Sequence, residues 1–278
     1  MIIRIGYDLR FQLAASVPML ALLNVHPSRV PDLVEPDRLR VSPEVQVEEF
    51  LDGFGNRMTR FVAPAGEVHL TNSTLIRDSG MLDEQDLTAQ EIAIEDLPRE
   101  TLPFLMNSRY CEVDLLTPVA TELFGGAPRG YQRVQEICRW VHEKVTFGYQ
   151  FARPTRTALD VYTERVGVCR DFQHLAVTFC RCLNIPARYV TGYLGDIRIT
   201  LPWSPMDFSA WFEAYLGGRW WTFDARHNIP RVGRVLMAVG RDATDVAMTT
   251  SFGRADLVSF GVVSDEVIEE GSSTNAVS

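Results

Sequence analysis

The sequence predicts an α+β protein in which a small β-sandwich precedes a mixed domain, and three observations predict it. Short strand-like runs with turn signals fill residues 1–78. An amphipathic helix begins abruptly at Cys169. A Gly217-Gly218 pair joins two strand-like runs just beyond it. Strands first and helix with strands later, rather than regular alternation of the two, is the α+β pattern.

In the first region Ile2 to Phe11 partly alternates, and Val45–Leu51, Arg57–Val62 and Val68–Ile76 follow at short spacing. Asp52-Gly53-Phe54-Gly55-Asn56 and Pro64-Ala65-Gly66 are the turns between them. Short strands at such spacing suit an antiparallel sandwich, read here as a packing domain. Residues 79–117 are acidic and interrupted by Pro98 and Pro103, which predicts a solvated linker arm over the surface. Residues 118–264 form the second domain, and 265–278 a small polar tail.

Within the second domain Val134, Ile137, Cys138, Val141 and Val145 share a face, so 131–147 is a helix. A short helix over 157–165 leads to the turn Gly167-Val168-Cys169-Arg170-Asp171. From there Phe172, Leu175, Ala176, Phe179 and Leu183 give one apolar stripe, which Asn184 and Pro186 terminate. A thiol in the first turn of a helix lies at the positive end of the macrodipole, which favours thiolate. Strands follow over 188–193, 208–216 and 219–225, with Gly217-Gly218 as a hairpin turn. Further strands fall near 235–238 and 258–263. The hairpin pairs Leu216 with Arg219 and, counted outward, Trp211 with Asp224. Period two then sets Asp224 one diagonal step from residue 209, about 7–8 Å at the backbone.

Composition excludes several functions. The 278 residues are 46% hydrophobic and 23% charged with a formal net charge of −9, ordinary for a globular protein and against a general nucleic-acid or membrane surface. Five unevenly placed cysteines make no disulfide framework, so a reducing, cytoplasmic setting is expected. The apolar run 13–25 is too short to span a bilayer and contains Pro18. Asp8 before it and the absence of a small-residue cleavage site argue against a secretion signal. Cys180-x-Cys182 lacks zinc spacing and reads as two buried thiols. With no P-loop and no dinucleotide fingerprint either, no metal or cofactor is expected.

Four blocks carry a resemblance. They are Gly167-Val168-Cys169-Arg170-Asp171-Phe172, Asn184 through Tyr193, Ala210-Trp211-Phe212-Glu213-Ala214-Tyr215, and Trp221-Thr222-Phe223-Asp224. Over about residues 120–240 the chain resembles the transglutaminase-like superfamily, in particular its bacterial candidate cysteine proteases. The resemblance implies a papain-like core, with a cysteine at a helix N-terminus packed on an antiparallel sheet that carries histidine and aspartate. By position it makes Cys169 the nucleophile and Asp224 the residue that orients the base. The family's histidine falls on Ser209, for which a natural loss and an engineered substitution both account. Serine cannot act as the base, so the expectation is a thioester-forming enzyme severely impaired in acyl transfer, with Asp224 left without its partner. A non-catalytic binding module using the retained cleft is the alternative. The expected substrate is a peptide, a protein or a small amide.

Around the thiol, the Cys169 N–H and Tyr149 are oxyanion candidates. Arg170 and Asp171 are read as loop-locking or substrate-contacting. Trp211 is read as core more readily than as a substrate platform. His26, His69, His142 and His174 read as packing or surface residues. His227, past the end of the strand, is the one candidate for a substitute base.

Overall fold

The computed structural model describes residues 1–199 and 206–268, so all but the first four residues of the polar tail expected over 265–278 lie outside the described residues. In the first region the strands are β1 (Ile2–Leu13), β2 (Val17–Ala21), β3 (Arg40–Ser42), β4 (Val47–Leu51), β5 (Arg57–Ala63) and β6 (Gly66–Arg77). Then come α1 (Val113–Phe124), α2 (Tyr131–Lys144), β7 (Thr146–Phe147), α3 (Ala158–Glu164), β8 (Val166–Gly167) and α4 (Cys169–Cys182). The chain closes with β9 (Ala187–Leu194), β10 (Ser209–Leu216), β11 (Arg219–Phe223), β12 (Arg234–Gly240), β13 (Thr249–Ser251) and β14 (Asp256–Glu266).

The N-terminal strands form two four-stranded sheets, ordered β14-β1-β6-β3 and β13-β2-β5-β4. Alternation in β1 sends Ile3, Ile5, Leu9, Phe11 and Leu13 inward, where they meet Val17, Met19 and Phe61 of the second sheet. Two sheets closing on one apolar layer is the expected sandwich. Its composition corrects the boundary at 264. The last two strands belong to the sandwich, with β14 pairing along β1 from Ile3↔Glu266 to Gln12↔Asp256 and β13 pairing with β2. The same core takes in Tyr193, Phe208, Val232, Val235 and Met237 from the other half. The two regions therefore share packed surface, which a linear reading of strand runs cannot show.

The acidic arm also departs from a solvated linker. Asp83 meets the Arg234 guanidinium at 2.9 Å and accepts the Arg231 backbone N–H at 2.9 Å. Glu84 reaches Arg219 at 2.8 Å, and the buried Glu91 carboxylate reaches Arg133 at 3.0 Å. Thr101, Phe104 and Cys111 are buried, and α1 starts inside the arm at Val113. Three of the acids that suggested solvation, Asp83, Glu84 and Glu91, are instead paired with arginines later in the chain.

The second half is built on the antiparallel sheet β11-β10-β9-β12. Gly217 and Gly218 have φ of 58° and 90°, the pair of positive values a two-residue type I′ hairpin requires. The register of Leu216↔Arg219 through Phe212↔Phe223 is the one that the glycines predict. Phe212 and Ala214 of β10 face the core shared with α4 and α2, whereas Trp211 faces away, against Val190 and Val239.

Helix α4 is more deeply placed than one apolar stripe implies. Every residue from Asp171 to Cys182 is buried, because α1, α2 and α3 pack around it while β9 and β10 cover another side. Its polar face is satisfied inside the protein. Arg181 donates to the carbonyls of Ala187, Met106 and Arg241. At its end Asn184 takes φ 63°, and the N–H groups of Asn184 and Ile185 bond the carbonyls of Arg181 and Cys180, each at 3.0 Å. This is a Schellman cap with asparagine in the left-handed position. A helix fixed at both ends and enclosed along its length gives its first residue, Cys169, a rigid mount.

Candidate active site

The N-terminus of α4 is held by its own side chains. Asp171, at the third helical position, accepts the Val168 backbone N–H at 2.9 Å, which is the reciprocal half of a capping box. Arg170 bonds the Asp171 carboxylate at 3.2 Å and the Arg153 carbonyl at 2.6 Å, and its guanidinium lies over the Tyr110 ring at 5.4 Å. Gly167 is a necessity here, because a Cβ on it would lie 2.6 Å from the Asp171 Cβ. Asp171 is fully buried and engaged within the loop, whereas Arg170 also borders the cleft.

Cys169 lines a cavity of 360 Å³ together with Arg153, Arg170, Tyr189, Thr191, Asp207, Ser209 and Ala210. Cys169 packs against a small apolar cluster of Leu22, Tyr189, Ala210, Ala238 and Val246. Ser209, the first residue of β10, lies opposite Gly192 of β9 and opens onto the same cavity. The fold thus brings residues 169 and 209 to one cleft. Among the described residues that line it, none is a histidine.

Burial pushes the Cys169 thiol up, and the Arg226 guanidinium pulls it back only in part. Burial thus opposes the helix terminus, which by itself favours the thiolate. The Asp207 and Asp224 carboxylates add to the upward push. The macrodipole acts within the first turn, but here it acts on a half-buried thiol at the edge of the cleft.

Asp224 follows the last residue of β11 and is 6% exposed. The expectation of an orphaned acid is wrong. Its Oδ1 accepts from Gln173 Nε2 at 3.0 Å and from the backbone N–H groups of Arg226 at 3.0 Å and His227 at 3.1 Å. Its Oδ2 meets His227 Nδ1 at 2.9 Å and Arg234 Nη2 at 3.1 Å. Burial works against ionisation, yet the His227 and Arg234 contacts outweigh it and hold the carboxyl far below the usual carboxylate range. Gln173 stands one turn after Cys169 on the same helix, so the acid lies against the helix that carries the thiol. A separate cavity of 70 Å³ borders Asp224 with Tyr131, Cys138 and Asn228, too small for an acyl substrate.

The remaining sequence candidates separate. Trp211 is 2% exposed, lies under the Arg234 guanidinium at 5.1 Å and does not border the thiol cleft. Tyr149 is 54% exposed and stacks edge-on against Phe147 at 5.3 Å. His174 is wholly buried between Tyr110 and Tyr189, and its Nε2 accepts the Ala243 N–H at 3.1 Å, so its proton sits on Nδ1. Burial holds it neutral, with a pKa of about 3. His142 binds the Arg226 carbonyl at 2.8 Å, and His26 and His69 lie in the sandwich half.

Two residues escaped the sequence reading. Asp207, two positions before Ser209, borders the cleft, and burial raises its carboxyl pKa. Arg226, two positions after Asp224, puts its guanidinium 3.9 Å from the Phe147 ring centroid, and its charge acts on Cys169. Both flank motif residues at a spacing of two, and that proximity was the available signal.

A thiol on the first residue of a buried helix, packed on an antiparallel sheet with an aspartate at a strand end, is the arrangement of a papain-like core. The family model of the transglutaminase-like superfamily matches residues 117–225. A solved structure of a candidate cysteine protease from Cytophaga hutchinsonii superposes with a TM-score of 0.83 at 31% identity, covering 97% of this chain and 92% of that one. An uncharacterised protein of Mycobacterium leprae is 26% identical over 220 residues, 76% of this chain and 77% of the relative. The chain belongs to the transglutaminase-like superfamily. Among the described residues no helix is long and apolar enough to cross a membrane.

Proposed function

We propose that the chain is a cysteine acyl-transfer enzyme in which Cys169 attacks the carbonyl of a peptide, protein or small amide and forms a thioester. Water or an amine then resolves it, giving hydrolysis or transamidation. The Cys169 N–H at the start of α4 is the first oxyanion donor, and Tyr149 is the second candidate. Serine at 209 withholds the acid–base group the family places there, so turnover of amides is low. The observation that carries this reading is the joint exposure of Cys169 and Ser209 in one 360 Å³ cleft without a histidine among its described lining residues.

A second reading has one observation in its favour. Asp224 is saturated by Gln173, His227 and Arg234 rather than held open for a base at 209, as suits a binding module that has lost its chemistry. The pairing of thiol and acid across the same helix favours the enzyme. All five cysteines are free, which supports a reducing compartment such as the cytoplasm.

The pH profile of alkylation tests the site directly. Because burial raises the thiol pKa, the rate of Cys169 carbamidomethylation is expected to climb with pH through an inflection above the ordinary thiol value of about 8.5. Cys169→Ala should abolish both this reaction and any ester hydrolysis. Hydrolysis that survives Cys169→Ala would sink the enzyme reading.

A further inference from the structure

Histidine in a thiol enzyme does two jobs: its charge stabilises the thiolate, and its proton goes to the leaving group. With serine at 209, two other residues near the thiol suit these jobs separately: Asp207 lines the cleft, and Arg226 stacks on Phe147, which pairs with Gly167 two residues before Cys169. Arg226 is half-buried, and both its ends are held. Its backbone N–H donates to Asp224 and its carbonyl binds His142, while its guanidinium rests on the Phe147 ring, which Tyr149 meets edge-on. Stacking on an aromatic ring fixes the guanidinium plane. Phe147 pairs with Gly167, two residues before Cys169, so the guanidinium stands by the N-terminus of α4, where its charge lowers the thiol pKa and acts on Asp207 and Tyr149 as well. Asp207 is half-buried and borders the same cavity as Cys169 and Ser209. Burial keeps its proton on longer than an exposed carboxyl would.

We propose that Arg226 and Asp207 divide the missing histidine's work, Arg226 as the fixed cation that stabilises the Cys169 thiolate and Asp207 as the acid that protonates the leaving amine. This rests on the acyl-transfer reading above. In the first step the Cys169 thiolate forms a C–S bond to the acyl carbon. The C–N bond breaks, and the nitrogen takes the proton of the Asp207 carboxyl. In the second step water attacks the thioester and the Asp207 carboxylate takes a proton from it. The C–S bond then breaks with Cys169 leaving as thiolate, which regenerates the protonated carboxyl. Opposing charges at the thiol are Asp207 once ionised and Asp224, the latter already neutralised by Arg234. Arg226 is a positioning residue in this scheme, because it acts through the thiolate.

The test uses the full chain and two readouts. Iodoacetamide alkylation of Cys169 is followed from neutral to alkaline pH in the wild type, Arg226→Ala, Arg226→Lys and Asp207→Asn. Hydrolysis of an activated anilide and of an aryl ester is followed in the same proteins. Arg226→Ala is expected to move the alkylation inflection up by about one pH unit, and Arg226→Lys to hold it near the wild-type position. Asp207→Asn is expected to lower anilide hydrolysis by about 10²-fold while changing aryl-ester hydrolysis far less, because an aryloxide leaves without a proton. An inflection unmoved in Arg226→Ala overturns the role of Arg226. Equal loss on anilide and ester in Asp207→Asn, no loss on either, or no anilide hydrolysis in the wild type overturns the role of Asp207. The alkylation readout needs no turnover, so it stands apart from a failure of the acyl-transfer reading, which Cys169→Ala reports.

Discussion

Ser209→His is expected to raise Cys169-dependent amide hydrolysis by about 10²–10⁴-fold, the range a positioned general acid–base supplies. Residue 209 opens onto the thiol cleft, and the β10–β11 register continued past Phe212↔Phe223 sets Asp224 one diagonal step away. An imidazole there would pair with the thiolate and lower the alkylation inflection toward neutrality. The upper part of the range requires a free carboxylate oxygen to orient the ring, and His227 and Arg234 occupy Asp224 Oδ2. Adding His227→Ala to Ser209→His should therefore increase the gain beyond the single change. Steady-state rates on an anilide, with the matching Cys169→Ala background, read out both steps.

Asp224→Ala is expected to cost about 3–5 kcal/mol of folding stability, as breaking a buried ion pair from one side does. The change strands Gln173 Nε2, two backbone N–H groups and one side of the Arg234 guanidinium, whose Nη1 already has no partner. Asp83 remains on Arg234 and limits the loss. The carboxyl pKa is depressed on folding, so its contribution is fully present above the unfolded value of about 3.9. It is lost as pH falls through the folded value. Denaturant titration at neutral pH should show the full difference between wild type and Asp224→Ala, and the two should converge in strong acid.

Much of the site was legible because its determinants are local. The turn before Cys169, the asparagine that ends α4 and the Gly217-Gly218 register each depend on a few adjacent residues, and these fixed where the thiol and residue 209 would fall. The sandwich alternation in β1 and β6 was equally local. What escaped depends on distant partners. β14 pairs with β1 across almost the whole chain, and the acids of the arm find Arg219, Arg231 and Arg234. Neither pairing has a signature within a window of sequence. The same holds for Asp224. Its partner residue in the family motif is absent, but Gln173, one turn along α4, and Arg234, on the next strand, fill the carboxylate. Desolvation of Cys169 likewise follows from its packing against a cluster drawn from β9, β10, β12 and two loops, which sequence periodicity does not weigh against a helix dipole.

The most direct measurement of the central claim is the intact mass of the chain after exposure to an aryl acetate, with peptide mapping of the modified residue. A thiol enzyme without histidine at 209 should acylate from so activated a donor and then deacylate slowly, for want of a strong base to activate water. A single acetyl group on Cys169 is expected to persist in the wild type, to turn over faster in Ser209→His and to be absent in Cys169→Ala. No acetylation of Cys169, or acetylation of other residues alone, would contradict it.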